Sequence, residues 1–419
     1  MWENIQVKRK VFDLLPLDTV RAIVLITGAR QTGKTTLVKE KYSNLPYFNL
    51  DAIELRDQLS AVSTFSWARD VGLAVIDEIQ KESSLFEKIK YSYDEGKLNF
   101  SVLTGSSQLL LLKKVRETMA GRIKLFELFP LMLSELVNPT GKQKQQITLA
   151  SLLDNNSIDD VFEMYPSVLL GEEWEIHQSA EEWLLVWGGM PSLIHINNEP
   201  DRINWLYDYS VAYLERDLAD LARLSDLRPF RKFQSIAALR AANMLHYTEL
   251  AKDSGTSVET ARRYLEYLNI SYQNFLLQPY YKNLTSSLVK TPKLFWFDNG
   301  LLRQSSGLGF KVDTGQLYEN YFASELMKYL RTTKRRAKLF YYRTRSGMEI
   351  DFIIETQEGI IAIETKSRDK VTQSDFSALR KLATAAGKLW LGGIVAYRGN
   401  KIEKFGGKLW AVPSCRLLS

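Results

Sequence analysis

The sequence predicts an α/β protein in which a parallel sheet covered by helices comes first along the chain. Over residues 1–150, short apolar stretches alternate with helical patterns, the arrangement that a parallel sheet between two helix layers requires. A glycine-rich turn follows the first of these stretches, and two carboxylates end a later one. At 419 residues the chain is too long for a single core, so we expect further domains after the sheet.

Composition places the chain among ordinary soluble globular proteins, with 45% apolar and 25% charged residues. No apolar run approaches the roughly 18 residues of a membrane helix, and the N-terminus lacks the apolar core of a signal peptide. We therefore expect a cytoplasmic protein without membrane contact. One cysteine, Cys415, and three histidines offer neither an intrachain disulfide nor a zinc cluster, so any metal is expected to be hard and oxygen-bound, such as Mg²⁺.

Charge is strongly segregated along the chain. Residues 151–228 contain 16 acidic and 4 basic side chains, whereas residues 310–419 contain 20 basic and 11 acidic ones. Residues 229–309 are also basic, with 10 basic and 5 acidic side chains. This asymmetry favours a polyanion such as DNA as a partner of the C-terminal half. The alternative is a solvated basic surface that the acidic segment balances within the fold.

The glycine-rich turn has the pattern of a nucleotide phosphate loop. Its residues, Gly-Ala-Arg-Gln-Thr-Gly-Lys-Thr at positions 28–35, lie between the apolar run Ala22–Thr27 and a helical stretch. Backbone N–H groups in such a loop point into a concavity that favours an anion. Lys34 would reach the β- and γ-phosphates of ATP, and Thr35 would help to hold Mg²⁺; a tight strand-to-helix turn is the structural alternative. The predicted nucleotide-binding residues here are Gly28, Gly33, Lys34, Thr35 and Thr36.

Two carboxylates end the apolar stretch at residues 73–78. An α/β sheet places its ligand site at this end of its strands. Asp77 would hold Mg²⁺ through its water shell, and Glu78 would accept a proton from the water that attacks the γ-phosphate. Residues 100–107 form another apolar strand, which ends in small hydroxyl residues. If this strand lies between the other two, Ser106 would sense the γ-phosphate; a plain helix cap is the alternative.

With these motifs the sequence resembles the AAA+ branch of the P-loop ATPases. Within that branch it resembles a group of prokaryotic proteins with a C-terminal domain of undefined role. The resemblance covers nearly the whole chain. It rests on the phosphate loop, on Val-Ile-Asp-Glu-Ile-Gln at 75–80, on Leu-Thr-Gly-Ser at 103–106 and on Ala-Gly-Arg at 120–122. Phe-Pro-Leu at 129–131, Gly-Gly-Met-Pro at 188–191 and Tyr-Leu-Glu-Arg-Asp at 213–217 fit the same group.

The resemblance implies an arginine finger that serves the nucleotide of a neighbouring subunit. Arg122 occupies the corresponding position, after the helix that follows the sensor strand, and Arg116 is a nearby substitute. A guanidinium there neutralises charge on the transferred phosphoryl group. The resemblance thus implies a homo-oligomer, with a hexamer favoured; an ordinary surface arginine is the alternative.

Residues 146–228 have helical patterns that fit the lid of an AAA+ core, which would itself occupy residues 1–145. Among the arginines available as a lid sensor, Arg216 resembles the group pattern best, and its function stays open. The other arginines of the segment are Arg202, Arg223 and Arg228.

Residues 229–309 predict a winged helix. A short helix from Tyr247 stops at Gly255, and Thr256 to Glu259 have capping-box spacing before a second helix. Residues 275–281 and 294–298 would be the strands of the wing. Arg262 and Arg263 on the second helix would then meet DNA phosphates or base edges. The alternative is a module that packs against protein.

Residues 310–419 resemble the PD-(D/E)XK nucleases. The pattern is a helix with Glu319, a strand pair that places Asp351 in mid-strand, and a strand in which Glu364 and Lys366 share a face. The resemblance implies that Asp351 and Glu364 hold Mg²⁺, that Lys366 positions the attacking water and that Glu319 supports the metal. Domains of this shape also serve as packing or nucleic-acid-binding modules.

Three functions follow from these patterns. The first is an oligomeric AAA+ ATPase that binds and remodels duplex or branched DNA, and Holliday-junction branch migration fits the order of core, lid and winged helix. The second is an ATP-gated, Mg²⁺-dependent nuclease. The third is a nucleotide-dependent regulatory or signalling switch whose basic half binds protein.

Overall fold

The computed structural model describes residues 6–105, 121–141, 147–154, 157–222, 226–280 and 290–419; of residues 213–222 it describes the backbone only. The contacts divide the chain into two compact units. One unit comprises residues 9–130 together with Asn269–Tyr272. The other comprises residues 1–8, 131–268 and 273–419. The division into four domains at residues 145, 228 and 309 stays a prediction.

The N-terminal unit is built on a five-stranded sheet with the order β2-β3-β4-β1-β5. All neighbouring strands in it are parallel, which confirms the predicted fold class of this segment. The strands are β1 (Ala22–Thr27), β2 (Tyr47–Asn49), β3 (Val75–Asp77), β4 (Phe100–Gly105) and β5 (Ile123–Glu127). The described helices are α1 (Lys34–Lys41), α2 (Ile53–Ala61), α3 (Trp67–Asp70) and α4 (Leu85–Asp94).

The central strands form because their sequences are apolar on both faces. Every residue of β1 and β4 is buried, as a strand between two helix layers must be. Two apolar clusters lie on the two faces of the sheet: residues of β1 alternate between them, with Ile23 and Leu25 in one and Val24 and Ile26 in the other. Strand β4 lies between β1 and β3, so the carboxyl ends of three strands that carry polar residues adjoin one another.

The second unit begins with helices and continues with a small sheet. Its helices up to residue 270 are α5 (Leu133–Val137), α6 (Thr148–Leu153), α7 (Ile158–Glu163), α8 (Glu172–Trp187), α9 (Glu199–Ala222), α10 (Arg228–Leu239), α11 (Tyr247–Ser254) and α12 (Val258–Ile270). The antiparallel pair β6 (Asn274–Leu277) and β7 (Lys293–Trp296) follows. Among the described residues, no helix has both the length and the apolar character needed to cross a membrane.

The turn between α11 and α12 has the predicted form with one correction to its cap. Gly255 ends α11 in the left-handed conformation, at φ 72°. The Oγ of Ser257 accepts a hydrogen bond from the Thr260 N–H at 3.1 Å, so Ser257 caps α12, in place of the predicted pairing of Thr256 with Glu259. Ser257 wins because it is the residue directly before the first helical position, Val258.

The last part of the second unit is a six-stranded mixed sheet with the order β12-β13-β11-β10-β9-β8. Strands β8, β9 and β10 are antiparallel neighbours, and β10, β11 and β13 run parallel. The strands are β8 (Lys338–Arg343), β9 (Glu349–Glu355), β10 (Ile360–Lys366), β11 (Trp390–Tyr397), β12 (Glu403–Lys404) and β13 (Leu409–Pro413). The helices of this part are α13 (Asn299–Ser306), α14 (Gly315–Thr333), α15 (Ser377–Ala386) and α16 (Ser414–Leu417).

The Gly188-Gly189 pair has a structural role in this unit. Gly188 has φ 75°, and a Cβ there would overlap the Asp298 carboxylate. The N–H of Gly189 donates to Asp298 Oδ2 at 2.7 Å, and its carbonyl accepts from the Leu131 N–H at 2.6 Å. These glycines therefore allow the close backbone approach that joins α8, α13 and the segment entering α5.

Candidate functional site

The loop between β1 and α1 is shaped by its glycines. Gly28 has φ 153°, and a Cβ on it would overlap the carbonyl oxygen of Leu128. Gly33 precedes the first residue of α1 in the left-handed conformation, at φ 93°. Gln31, a non-glycine residue, also has a positive φ of 57°. The loop thus reverses the chain tightly between a buried strand and a helix, with the helix N-terminus facing its concavity.

Lys34 is folded back onto this loop. Its ammonium donates to the carbonyl oxygens of Gly28 at 3.0 Å and Ala29 at 2.7 Å, and the residue is buried. Because ammonium groups are almost never buried without partners, these carbonyls compensate the charge inside the loop. The loop therefore holds a buried positive charge at the start of α1.

Three hydroxyl groups converge on the Asp77 carboxylate at the end of β3. Thr35 donates to Oδ2 at 2.7 Å, Tyr47 donates to the same oxygen at 2.5 Å, and Thr104 donates to Oδ1. The N–H of Glu78 also donates to Oδ1, at 3.1 Å. Burial and then the hydrogen bond to Asp77 raise the pKa of Tyr47 above its ordinary value, so the phenol keeps its proton and remains a donor. The side-chain donors that orient this carboxylate are therefore neutral hydroxyl groups.

Glu78 lies in the left-handed region, at φ 58° and ψ 41°. Such backbone conformations of non-glycine residues occur mostly in turns and at functional sites. Its carboxylate accepts a hydrogen bond from the Gln80 amide, and it is only partly buried. The Glu78 carboxylate is thus held by Gln80, while the Glu78 N–H is held by Asp77.

Arg9 braces the loop from outside the predicted motif. Its guanidinium donates to the Thr32 carbonyl at 2.6 Å and to the Phe129 carbonyl at 2.5 Å. The Thr32 hydroxyl donates to the Ala29 carbonyl at 2.8 Å, within the loop. Sequence reasoning missed Arg9 because its partners are backbone groups far along the chain, and no spacing pattern marks such a contact.

The residues around the loop fit a nucleotide with Mg²⁺. Thr35 and Asp77 present a hydroxyl and a carboxylate as adjacent oxygen groups, the hard ligands that Mg²⁺ takes from proteins while it keeps several waters. The helix N-terminus and Lys34 supply the positive potential that the phosphates require. Thr36, the next residue of α1, is exposed.

Of the residues predicted as the γ-phosphate sensor and the arginine finger, the structure describes only Arg122. Ser106 and Arg116 lie outside the described residues. Arg122 Nε pairs with Asp94 Oδ1 at 2.5 Å on the exposed end of α4, within the N-terminal unit. Within the described part of β4, Thr104 donates its hydroxyl to Asp77, two residues before Ser106 in the sequence.

The described lid arginines have local partners. The Arg202 guanidinium stacks over the rings of Trp183 and Trp187 at 4.5 and 5.3 Å. Arg228 pairs with Asp226 at 2.9 Å. Arg223 lies outside the described residues, and for Arg216 only the backbone is described.

Arg262 and Arg263 are both exposed on α12. The Arg262 guanidinium lies 4.2 Å from the centroid of the Tyr247 ring, a cation–π contact with α11. The two cations therefore lie next to each other on the second helix of the helix-turn-helix. Glu259 and Glu266 are exposed on the same helix, which reduces its net positive charge.

The C-terminal candidate residues come together in space, and lysines accompany them. Lys366 donates to Glu364 Oε1 at 2.7 Å, as their shared strand face predicts. Asp351 Oδ2 accepts from the N–H and the hydroxyl of Thr365 at 2.8 and 2.7 Å. Glu319 accepts from the buried ammonium of Lys293 at 2.8 Å. Lys293 also pairs with Glu349, which in turn pairs with Arg343.

Burial governs the titration of this cluster. It raises the pKa of Glu319 to about 8, and repulsion from Asp351 adds to the effect while Lys293 opposes it. It also raises the pKa of Glu364 to about 8, again with Asp351 adding and Lys366 opposing. Burial alone would lower the pKa of Lys293, but Glu319, Asp351 and Glu349 raise it above its ordinary value.

The cluster does not present the three-carboxylate arrangement of a metal centre. Within the described ranges, no three His, Cys, Asp or Glu side chains lie close enough together to hold a metal ion. The ammonium of Lys293 takes up Glu319, and that of Lys366 takes up one oxygen of Glu364. The metal-binding roles of Glu319, Asp351, Glu364 and Lys366 therefore stay predictions.

The sheet order and the loop between β1 and α1 make the N-terminal unit resemble the core of the P-loop nucleotide-binding proteins. A family model described as an AAA domain matches residues 20–137. Two models described as domains of unknown function match residues 179–311 (DUF8612) and 314–417 (DUF4143). Residues 20–137 thus have the fold and the sequence features of an AAA-type ATPase core, which implies nucleotide binding, usually with Mg²⁺.

The chain is also similar to proteins that carry no functional description. An uncharacterised protein of Mycobacterium tuberculosis is 26% identical over 413 residues, which are 95% of this chain and 81% of that protein. An uncharacterised protein of Methanocaldococcus jannaschii is 26% identical over 349 residues, which are 79% of this chain and 72% of that protein.

A solved structure, the Walker-type ATPase of Pyrococcus abyssi, is 16% identical, with a TM-score of 0.42 over 68% of this chain and 90% of its own.

Proposed function

We propose that this chain is an ATP-hydrolysing AAA+ protein that binds and remodels duplex or branched DNA. The observation that carries the ATPase part is the convergence of Thr35, Tyr47 and Thr104 on Asp77, next to a loop that holds the Lys34 ammonium. The match to an AAA domain over the same residues supports it.

The phosphates of ATP would replace the loop carbonyls as acceptors of Lys34. The ammonium then moves from Gly28 and Ala29 to the β- and γ-phosphate oxygens, a short rotation of a long side chain. Thr35 and Asp77 would hold Mg²⁺, which neutralises charge on the phosphates when bound. Glu78 accepts the proton of the attacking water, and Gln80 holds the Glu78 carboxylate in place.

Hydrolysis in an oligomer would use Arg122 of a neighbouring subunit, with a hexamer as the favoured assembly. Arg122 lies at the surface, and its partner Asp94 is similarly exposed, so the pair is a weak one that a phosphate can replace. Ser106 or Thr104, at the end of β4, would sense the γ-phosphate. Two results test this assembly. The ATPase rate per subunit should rise with protein concentration, and Arg122→Ala should lower it at least about tenfold.

DNA is the proposed polyanion because of the basic C-terminal half and the helix-turn-helix. Residues 310–419 carry 20 basic and 11 acidic side chains. The order of α10, α11, α12 and the β6–β7 pair supports the proposed winged helix, and Arg262 and Arg263 are exposed on α12. Phosphate contacts of this kind give affinity that falls steeply with salt.

ATPase and gel-shift measurements on single-stranded, duplex, forked and four-way DNA test the proposal, with Lys34→Ala as the nucleotide-site control. We expect hydrolysis that Lys34→Ala abolishes and that duplex or branched DNA stimulates. Arg262→Ala with Arg263→Ala should weaken DNA binding, and Arg231→Ala with Lys232→Ala, on α10, is a control with equal loss of charge.

Two results would overturn the proposal in different ways. If the wild-type chain neither binds nor hydrolyses ATP, the ATPase assignment is wrong. If it hydrolyses ATP but DNA neither binds at low salt nor changes the rate, the nucleotide-dependent switch that binds protein is the better function.

An ATP-gated nuclease is the second candidate. The helix α14 followed by β8, β9, β10, α15 and β11, with β10 and β11 parallel, supports the PD-(D/E)XK resemblance. So does the meeting of Asp351, Glu364 and Lys366 on adjacent strands. Asp351→Ala must then abolish Mg²⁺-dependent DNA cleavage and leave ATP hydrolysis intact; a wild-type chain that never cleaves DNA rules this function out.

A further inference from the structure

Tyr272 contacts the base of the phosphate loop, although no motif marks it. It follows the last residue of α12, Ile270, by two positions and is 3% exposed. Its hydroxyl lies 2.7 Å from Thr27 Oγ1 and donates to Glu127 Oε1 at 3.0 Å. Because the phenol has one proton and gives it to the carboxylate, the Thr27 hydroxyl is the donor in the other hydrogen bond.

These two partners are the last residues of neighbouring strands. Thr27 ends β1 and Glu127 ends β5, and the two are paired in the parallel register. The residue after Thr27 is Gly28, the first residue of the loop that holds Lys34. The Tyr272 hydroxyl therefore ties together the two strand ends from which the loop leaves the sheet.

The backbone at Tyr272 indicates that this contact is enforced. Its φ of 60° is in the left-handed region, which is unfavourable for a bulky L-residue. The ring is held edge-on against Phe129, with centroids 5.8 Å apart, and the hydroxyl is held by two partners. Such conformations persist only where the surroundings determine them strongly.

The path of the chain connects this contact to α12. Asn269–Tyr272 belong to the N-terminal unit by their contacts, whereas residues 131–268 and 273–419 belong to the other unit. Tyr272 is therefore separated from the helix that carries Arg262 and Arg263 by a few backbone bonds. A displacement of Thr27 when the loop binds a nucleotide would pass through the hydrogen bond to Tyr272 and then along the backbone into the C-terminal end of α12.

We propose that Tyr272 is a positioning residue that transmits the nucleotide state of the phosphate loop to α12. This inference rests on the proposed ATP site. It assigns a role to a hydroxyl group that touches neither nucleotide nor DNA. Allosteric coupling of this kind is a difference in free energy between two states, and it is lost when the connecting contact is removed.

Hydrogen–deuterium exchange of the α12 amides, with and without Mg²⁺ and ATPγS, tests the proposal. In the wild-type chain ATPγS changes the exchange rates of residues 258–270. In Tyr272→Phe, which keeps the ring against Phe129, ATPγS still binds within about threefold of the wild-type affinity, since the hydrogen bonds to Thr27 and Glu127 that are lost do not involve residues predicted to bind ATP. The change at α12 falls to less than about half of the wild-type change.

Tyr264→Phe is the matched control. Tyr264 also lies on α12, but its ring packs edge-on against Phe230 and Phe233. This variant keeps the full change at α12. Thr27→Val removes the hydrogen bond to Tyr272 from the other side and keeps the one between Tyr272 and Glu127. We expect it to reduce the change at α12 as Tyr272→Phe does, and the double variant to be no worse than Tyr272→Phe, which has already lost the shared bond.

The outcomes separate this inference from the function on which it rests. Failure of the wild-type chain to bind ATPγS overturns the proposed ATP site and, with it, the role of Tyr272. Binding of ATPγS without any change at α12, or an unaltered change in both Tyr272→Phe and Thr27→Val, overturns the role of Tyr272 alone. If Tyr272→Phe does not fold, Thr27→Val decides by itself.

Discussion

The two carboxylate sites of this chain differ in what surrounds their negative charge. Asp77 in the N-terminal unit is held by the hydroxyls of Thr35, Tyr47 and Thr104, which are neutral donors. In the C-terminal sheet, by contrast, Lys293 and Lys366 accompany Glu319 and Glu364. Neutral donors orient a carboxylate without cancelling its charge, whereas an ammonium cancels it.

This difference predicts different uses for the two sites. A carboxylate that keeps its charge attracts a cation together with its phosphate ligand, as a nucleotide site requires. A carboxylate paired internally with a buried lysine contributes to folding, and opening that pair for a ligand carries the cost of an unpaired buried charge. Carboxylates at the two sites thus differ in whether they are available to bind a ligand. Four predictions test this contrast.

The largest expected effect is on catalysis by the N-terminal site. Glu78→Gln removes the base but keeps the size of the side chain, so we expect kcat for ATP hydrolysis to fall by about 10²–10⁴. ATP affinity should stay within a few-fold, because Glu78 is not among the residues predicted to bind the phosphates. Glu319→Gln is the matched control and should leave kcat unchanged; equal losses in both variants would contradict the contrast.

The next effect is on folding of the C-terminal sheet. Lys293→Met removes the buried ammonium that lies among Glu319, Glu349 and Asp351. We expect a loss of about 3 kcal/mol of stability, measured by urea denaturation, because buried carboxylates lose their counter-ion. Adding Glu319→Gln should restore part of the loss, and a Lys293→Met chain of wild-type stability would show that the pair is not needed.

Stability of the same region should depend on pH. Glu319 and Glu364 have folded-state pKa values of about 8 against an ordinary value of 4.5, so the folded chain binds their protons more tightly than the unfolded chain does. The stabilisation that this tighter proton binding gives the folded chain is fully present below pH 4.5 and is lost as the pH rises through 8. Thermal midpoints of the wild-type chain should fall from pH 5.5 to pH 8.5, roughly the span of these values, and Glu319→Gln with Glu364→Gln should flatten this fall.

The smallest expected effect is on the positioning of Asp77. Tyr47→Phe removes one hydrogen bond to the carboxylate, worth about 1 kcal/mol, and should lower kcat/KM for ATP about fivefold. Tyr42→Phe is the control, since the Tyr42 hydroxyl donates to the Pro16 carbonyl at 2.9 Å, away from Asp77. An unchanged kcat/KM in Tyr47→Phe would mean that Thr35 and Thr104 suffice to orient the carboxylate.

The sequence was most informative where local chemistry decides the structure. The bounds of β1 are those of the apolar run Ala22–Thr27, because the apolar pattern and the flanking turn agree. The parallel sheet was predictable for the same reason, and the capping of α12 was missed by one residue because Thr256 and Ser257 are equally suitable caps. The role of Ser106 stays a prediction. The contact between the Thr104 hydroxyl and Asp77 was not predicted.

Contacts between distant residues were not predictable. Arg9, Tyr47 and Tyr272 contact the candidate site or its supporting strands from positions without a recognisable spacing. Lys293 reaches Glu319 from the first position of β7, one residue before the predicted wing strand. Such contacts depend on which strands are neighbours and on the register between them, and a single sequence does not encode these relations as a local pattern.

By itself the sequence determined the strand, glycine turn and helix that form the phosphate loop, because glycine content, apolar runs and helix starts are local properties of the chain. It also determined which residues carry charge. Only the tertiary structure decided which of those charges are compensated, since compensation depends on burial and on partners that lie far apart in sequence. That is why Asp77 and Glu319, both predicted as metal-site carboxylates, are surrounded by hydroxyls in one case and paired with a buried lysine in the other.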